Sequence, residues 1–526
     1  MPPSSSPASL LQILYERLEA AHQRNDATAA YNAQGDIIQV PGIGKALSSA
    51  YEQLRNAAEY TEEHLLLQRA VRRYYYRSLS FSSKRQLHKN IGEELIVELT
   101  QAGYLHNNQY GKHVAQQLQQ LVAAYMEHYW ALRASRASRD KAVSWTLDEL
   151  SVSTEEILNP HFQLNALAYV AYYHYLQELP KAAFLEQPQD SEQYEICLYI
   201  AVHRSLLKSD VAIVRHDLIQ MYQLNNADIQ QYIEFNRQLD NLFQAPLTQR
   251  LLRAMSRFGA PMRVLKSMVI ADSTVYKVLP EQEAFMHAYR RQVSKEYKDL
   301  KKRLNKGIIK SIAFIFITKV VIGLGIEVPY DLLFVGSVAI LPLVINLLVP
   351  PLYMASLKLG LRTPSNANAT ALGEYMEHVL YPNGSAMPHL PITPKTAPAS
   401  MKILYSILFF IPFAITVYIL SLLHFNLVQG VIFFTFLSTA SFLGFRLARM
   451  IRELELVVKQ QNLISTVRDF FYMPFILVGQ WLSSKYAKVN AVAFILDMAI
   501  ELPMKTMMRL TRQWTRFLNE KHDELY

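Results

Sequence analysis

Four stretches of the chain are apolar for about the 20 residues a helix needs to cross roughly 30 Å of hydrocarbon: 308–326, 332–351, 403–423 and 427–447. Their links pair them into two hairpins. The link after the first stretch holds Glu327 and Asp331 with no Lys or Arg, and the link at 424–426 has no acid, Lys or Arg. Basic residues gather on the other flanks: Lys358, Arg362, Lys395 and Lys402 between the hairpins, and Arg446, Arg449, Arg452 and Lys459 after the fourth stretch. Loops rich in Lys and Arg stay in the cytoplasm. The expected topology therefore spans the cytoplasmic membrane four times and leaves both termini inside.

Upstream, the apolar positions recur with the helical period instead of running on. ASLLQILYERLEAAH puts Leu10, Leu11, Leu14 and Leu18 on one face. EEHLLLQRAVRRYYYRSL, IGEELIVELTQAGYL and HVAQQLQQLVAAYMEHYWALRA continue the pattern, with Gly103 as a stop signal for the second. Clean alternation of the kind strands show is scarce. The stretch 280–307 predicts one long helix feeding the first span, and 362–400, rich in Pro, Asn, Ala and Thr, predicts a loop with a short helix at 372–379. Beyond the fourth span, 470–482 is too short to cross as a helix, and 489–504 carries Asp497 and Glu501. Both predict interfacial or re-entrant segments. In 505–518, Lys505, Arg509, Arg512 and Arg516 form a basic stripe opposite a face that carries Trp514, a pattern suited to a membrane surface.

The expected class is thus all-α. A cytoplasmic helical domain (1–289) is followed by a basic juxtamembrane helix (290–306), transmembrane hairpins at 307–351 and 403–447 around a cytoplasmic loop (352–402), and interfacial amphipathic helices in 448–526.

Charge narrows the choice of partner. The 526 residues carry a net charge of +9. Residues 1–289 hold 27 basic and 30 acidic residues, whereas 290–306 alone hold eight basic ones. The positive excess lies beside the first span, which favours anionic lipid headgroups over a nucleic-acid footprint spread across the domain. Cys197 is the single cysteine, so no intrachain disulfide forms, in keeping with a reducing compartment. The first 21 residues lack the basic start and long apolar core of a signal peptide.

Candidate chemistry is sparse. HExxH, CxxC and GxSxG motifs are absent, and Gly44-Lys45 lacks the rest of a P-loop, with Gln39 and Ala46 at the other required places. Acid and His combinations occur at Glu283/His287, which share a helical face, and at Glu374/Glu377/His378, but such combinations usually face solvent. Neither a catalytic residue, a metal nor a cofactor is expected. Within the spans, Lys319 sits near the middle of the first. A charge there costs about 2.5–3.5 kcal/mol on insertion scales, so it is expected to face the bundle interior and reach Asn346 on the second span. Pro342 and Pro412 are expected to interrupt backbone bonding near mid-membrane, and Thr435, Ser438 and Thr439 to give the fourth span a small polar packing face.

One motif points elsewhere. DIIQVPGIGKALSSAYEQLR (36–55) resembles the helix-hairpin-helix motif of DNA-binding proteins, with Ile37/Ile38, Val40, Pro41-Gly42-Ile43-Gly44, Ser48, Tyr51 and Arg55 in the corresponding places. The resemblance implies phosphate-backbone contacts at Gly42, Gly44 and Lys45. Seven basic residues without an acid between 69 and 89, beside Tyr74, Tyr75 and Tyr76, suit single-stranded nucleic acid and a membrane-facing helix equally. The alternative for the motif is a plain turn leading into a helix from Lys45. The stretches AYEQLRNAAEYTEEHLLLQRAVRRYYYRSL and SSKYAKVNAVAFILDMAIELPMKTMMRLTRQW are similar to uncharacterised multi-pass membrane proteins of candidate-phylum, reduced-genome bacteria. That implies a bacterial cytoplasmic membrane and no particular activity. The expected role is a membrane-anchored scaffold that binds other proteins or itself. A small transporter or channel is the first alternative, and a membrane tether for nucleic acid the second.

Overall fold

A computed structural model describes residues 9–42, 63–79, 90–135, 137–181, 191–224, 228–361, 363–382, 408–456 and 463–488, together with Lys45, Ser48, Ser49, Glu52, Gln53, Phe184 and Trp514. Among these residues the fold is all-helical and contains no strand. Two compact units are present. The first comprises residues through Met255 with Val269–Pro280, the second Ser256–Met268 with Glu281–Val489.

The first unit is a stack of helices: α1 (Leu10–Asn32), α2 (Leu66–Ser78), α3 (Ile91–Ala102), α4 (Lys112–Ala134), α5 (Arg139–Leu158), α6 (Phe162–Glu178), α7 (Ser191–Val202), α8 (Val211–Met221) and α9 (Ile229–Leu242). The predicted faces are turned inward at Leu14 and Leu18 of α1 and at Val114, Leu118, Val122 and Leu132 of α4. α3 stops where Gly103 takes a left-handed conformation, φ 87°; glycine does so without a Cβ clash. α5 is the hub, packed by α2, α4 and α8. Its Trp145 and Leu150 are fully enclosed in an apolar core with Tyr75, Leu95 and Tyr129.

Helices α10 (Pro246–Phe258) and α11 (Ala260–Ala271) are divided between the units. The second unit is built on α12 (Gln282–Ile322), α13 (Ile340–Gly360), α14 (Asn366–Leu380), α15 (Ile411–Leu422), α16 (Leu427–Arg452) and α17 (Leu463–Lys488). Among the described residues, three of its helical runs are long and apolar enough to cross a membrane: Gln282–Phe334, Ile340–Leu357 and Leu427–Arg452. α13 returns antiparallel to α12, because Lys319 meets Asn346 and Gly323 lies beside Leu343. α16 runs parallel to α13: Tyr353 Oη and Ser441 Oγ lie 3.0 Å apart, and Leu357 presses on Gly444. A core of Ile308, Ile315, Met354, Phe436, Ala440 and Leu447 joins the three. The outside of the bundle is the reverse of a water-soluble protein. Phe314, Ile317, Val321, Leu324, Leu333, Leu348, Leu352 and Val431 are all exposed. An exterior this apolar is the surface a bilayer solvates.

Several expectations are corrected here. The first turn lies later than expected. Gly323–Glu327 and Asp331–Val335 form wide π-helical turns that continue α12, and the chain reverses only at Gly336, φ 83°. Glu327 and Asp331 are therefore buried inside the helical run and do not form a solvated link. Pro342 lies in the first turn of α13 and Pro412 in the first turn of α15, where the missing N–H has no intrahelical partner to lose. Prolines do lie inside helices at Pro350 and Pro351 of α13 and at Pro474 of α17. The third expected span begins outside the described residues, and its described helix is the short Ile411–Leu422. Residues 470–482 are part of the continuous 26-residue helix α17, which packs against α16. The loop between the hairpins contains α14, nearly twice the expected length, capped by Ser365 and tied down by Asn368, whose Nδ2 donates to Tyr297 Oη at 2.7 Å and to the Leu454 carbonyl at 2.8 Å.

Candidate functional site

Lys319, on the face of α12 that meets α13 and α16, is 2 % exposed. A lysine this buried is shielded from bulk solvent, so the protons on its Nζ need acceptors within the protein. The structure brings the two sequence-predicted residues together: Lys319 Nζ donates to Asn346 Oδ1. It also donates to Glu327 Oε1 at 3.3 Å and lies 4.5 Å from the centroid of the Phe436 ring, a cation–π contact.

The network continues towards the two turns. Asn346 Nδ2 donates to the Gln429 carbonyl at 3.3 Å. Gln429 Nε2 donates to Asp331 Oδ2 at 2.9 Å, and Asn426 Nδ2 donates to Asp331 Oδ1 at 2.7 Å. Asn426 and Gln429 also cap α16 reciprocally, each side chain accepting from the other's backbone N–H. Asp331 thus ties the end of the α12 run to the start of α16. Glu327 and Asp331 are each 1 % exposed. One oxygen, Glu327 Oε2, is buried without a hydrogen-bond partner.

Sequence reading found Lys319 and Asn346 and missed Glu327, Asp331, Asn426 and Gln429. The two acids looked like a polar loop because π turns cannot be told from a link by hydropathy. The available signal was the Asn-x-x-Gln capping pattern at 426–429. Of the expected packing face on the fourth span, Ser438 is buried, and its carbonyl lies where any side chain at Gly479 of α17 would go.

The remaining candidates are placed as follows. Ile38 and Val40, just before PGIG, are buried. The Ile38 N–H donates to the Tyr110 carbonyl at 2.9 Å, and the Val40 N–H to Asn107 Oδ1 at 3.0 Å. The Lys45 N–H donates to the Gly42 carbonyl at 3.2 Å. Gly44 lies outside the described residues, as do Lys505, Arg509, Arg512 and Arg516; Trp514 is described and exposed. In the basic run, Arg69 pairs with Asp210 at 3.1 Å, Arg72 with Asp148 at 2.9 Å, Arg73 with Glu52 at 2.8 Å, and Arg77 with Glu98. Tyr74 and Tyr75 are buried. His287 lies against Arg291, and Glu377 against Gln282 and Arg290.

The first unit holds a second charged cluster. His216 of α8 is enclosed between Glu149 Oε2 at 3.0 Å and Glu156 Oε2 at 3.5 Å, both from α5. Burial alone would drive the proton off this imidazole, but the two carboxylates outweigh it and push its pKa up to about 10. Burial pushes the neighbouring Asp217 carboxyl up to about 7. Among the described residues no group of three or more His, Cys, Asp or Glu side chains is arranged so that it could hold a metal ion.

No protein-family model, curated protein or solved structure matches the chain.

Proposed function

We propose that the chain is an integral protein of a bacterial cytoplasmic membrane, with both termini inside, and that its N-terminal helical unit serves as a membrane-anchored scaffold for other proteins or for a second copy. The observation that carries the membrane reading is the inverted bundle: apolar side chains outside, and Lys319, Glu327, Asp331, Asn346 and Gln429 inside. Polar groups face the interior in this way where the solvent is lipid. The topology is supported by the turn after α12 and the turn before α16 lying at one end of the bundle, joined by the bond between Asp331 and Asn426. The scaffold reading is supported by the size of the helical unit and by arginines of its basic run that already hold acids, which leaves fewer of them for nucleic acid.

Crosslinking in living cells, then purification from alkali-washed membranes, tests both parts. The expected result is a chain that resists the alkaline wash and carries specific protein partners, unchanged by Gly42→Ala with Gly44→Ala. Release by the wash would overturn the membrane reading. Nucleic acid recovered with the wild type and lost from the variant would overturn the scaffold reading in favour of a tether. The buried network favours a small transporter or channel as the second reading; a solute or ion flux in proteoliposomes that Lys319→Leu abolishes would establish it.

A further inference from the structure

The network around Lys319 does not balance its charges. Two carboxylates, Glu327 and Asp331, share the interior with one ammonium. The surrounding helices add amides rather than charges: Asn346 from α13, and Asn426 and Gln429 at the start of α16. With both acids ionised, one negative charge would lie uncompensated in a buried, low-dielectric interior, which is a costly state for such a cluster.

The hydrogen bonds show where the imbalance is relieved. Asp331 is saturated with donors: Asn426 on one oxygen, Gln429 on the other, and the Ala339 N–H at 3.4 Å. A proton on either oxygen would face an N–H, so Asp331 is the fixed anion. Glu327 accepts from Lys319 through Oε1 alone, and Oε2 is buried with no partner. The backbone is distorted at the same place, with π-helical turns at Gly323–Glu327 and Asp331–Val335. Such turns appear mostly as single-turn bulges inside helices, frequently at functional sites.

We propose that Glu327 is a proton-binding site inside the apolar bundle, carrying one exchangeable proton on Oε2 while Lys319 and Asp331 balance each other. Binding forms a single O–H bond; the proton comes from water and returns to it, and no other bond changes. A metal cation fits less well, because it needs several free oxygens and, among the described residues of this network, Oε2 is the one carboxylate oxygen without a hydrogen-bond partner. The site goes beyond the scaffold role but rests on the membrane reading, in that it makes the bundle responsive to the pH of one membrane face.

The test is an infrared pH titration of the full chain in lipid nanodiscs, following the carbonyl stretch of a buried protonated carboxylic acid. The wild type is expected to show this band and to lose it as pH rises. Glu327→Gln is expected to abolish it. Asp331→Asn is expected to abolish it too, because Glu327 then ionises to balance Lys319, whereas Lys319→Met is expected to keep it. Exchanging sodium for a bulky organic cation is expected to leave the band unchanged. A wild type without the band, or a band that survives Glu327→Gln, would overturn the proposal. A band that follows sodium would replace it with a cation site. These outcomes do not depend on the alkaline wash, so this proposal and the membrane reading fail separately.

Discussion

His216 shows how the fold makes a titratable residue matter far from any site. Its imidazolium is 2 % exposed and braced by Glu149 and Glu156. The folded pKa, about 10, stands above the unfolded value near 6.5. The stabilisation is therefore complete below pH 6.5 and is lost as pH rises towards 10. Asp217, raised to about 7, and Glu155, raised to about 8, work in the same direction, because burial makes their ionised forms unfavourable in the folded chain. His174 and His203, held neutral by burial with pKa values of about 4 and about 3, oppose them only when the pH falls below 6.5. Between about pH 4.5 and 6.5 these two acids and two histidines offset each other, so the helical unit should hold its optimum across that range and weaken as pH rises from 6.5 towards 10. Thermal unfolding followed by circular dichroism from pH 5 to 10 checks this. His216→Asn should cost roughly 3–5 kcal/mol at the optimum, as removal of one partner from a buried pair does, and much less at pH 10. An equal loss at both pH values would mean that the imidazole is not charged in the folded chain.

At the level of elements, close approach of helices does what charge does at His216. Gly479 of α17 faces the Ser438 carbonyl and Phe442 of α16, and no Cβ fits between them. Small residues at such contacts let apolar helices pack through van der Waals contact where no hydrophobic effect drives them together. Gly479→Leu should destabilise the bundle by about 1–3 kcal/mol through overpacking, seen as a lower melting temperature in detergent. Gly42→Leu, where an added Cβ meets nothing within 4 Å, should leave it unchanged. This contact also marks the limit of sequence reading. The long apolar helices, the stop at Gly103 and the meeting of Lys319 with Asn346 were legible, because hydropathy, a left-handed glycine and the cost of a buried charge each leave a local mark. The helical state of Glu327 and Asp331 was not, because two acids between apolar runs read as a link. The true turn depends on the positive φ of Gly336. The length of α14 was hidden for a related reason: an Asn- and Ala-rich segment has weak helical periodicity, and α14 is fixed by bonds from Asn368 to Tyr297 and Leu454, remote in sequence.

For the whole molecule, the feature that ties composition to placement is the exposed surface of α12. Lys295, Lys298, Lys302 and Lys306 recur at spacings of three and four and are all exposed; after Lys310 the exposed positions of the same helix become Ala313, Phe314, Phe316 and Ile317. A straight helix that changes from a lysine stripe to an apolar one passes from headgroups into hydrocarbon at that point. Each lysine near an anionic surface contributes about 1 kcal/mol, a term that falls off within a Debye length. Replacing the four with Gln removes four positive charges while keeping length and helix propensity. The expected outcome is a chain that still inserts, since its apolar helices are unchanged, but purifies with several-fold less anionic phospholipid relative to zwitterionic lipid. Quantifying bound lipid after mild detergent extraction measures this, with Arg303→Gln as a control, because Arg303 already faces Glu296 at 3.6 Å. If the fourfold variant kept its full share of anionic lipid, the stripe would have to face something other than headgroups. The cytoplasmic assignment of that flank would then lose its main physical support.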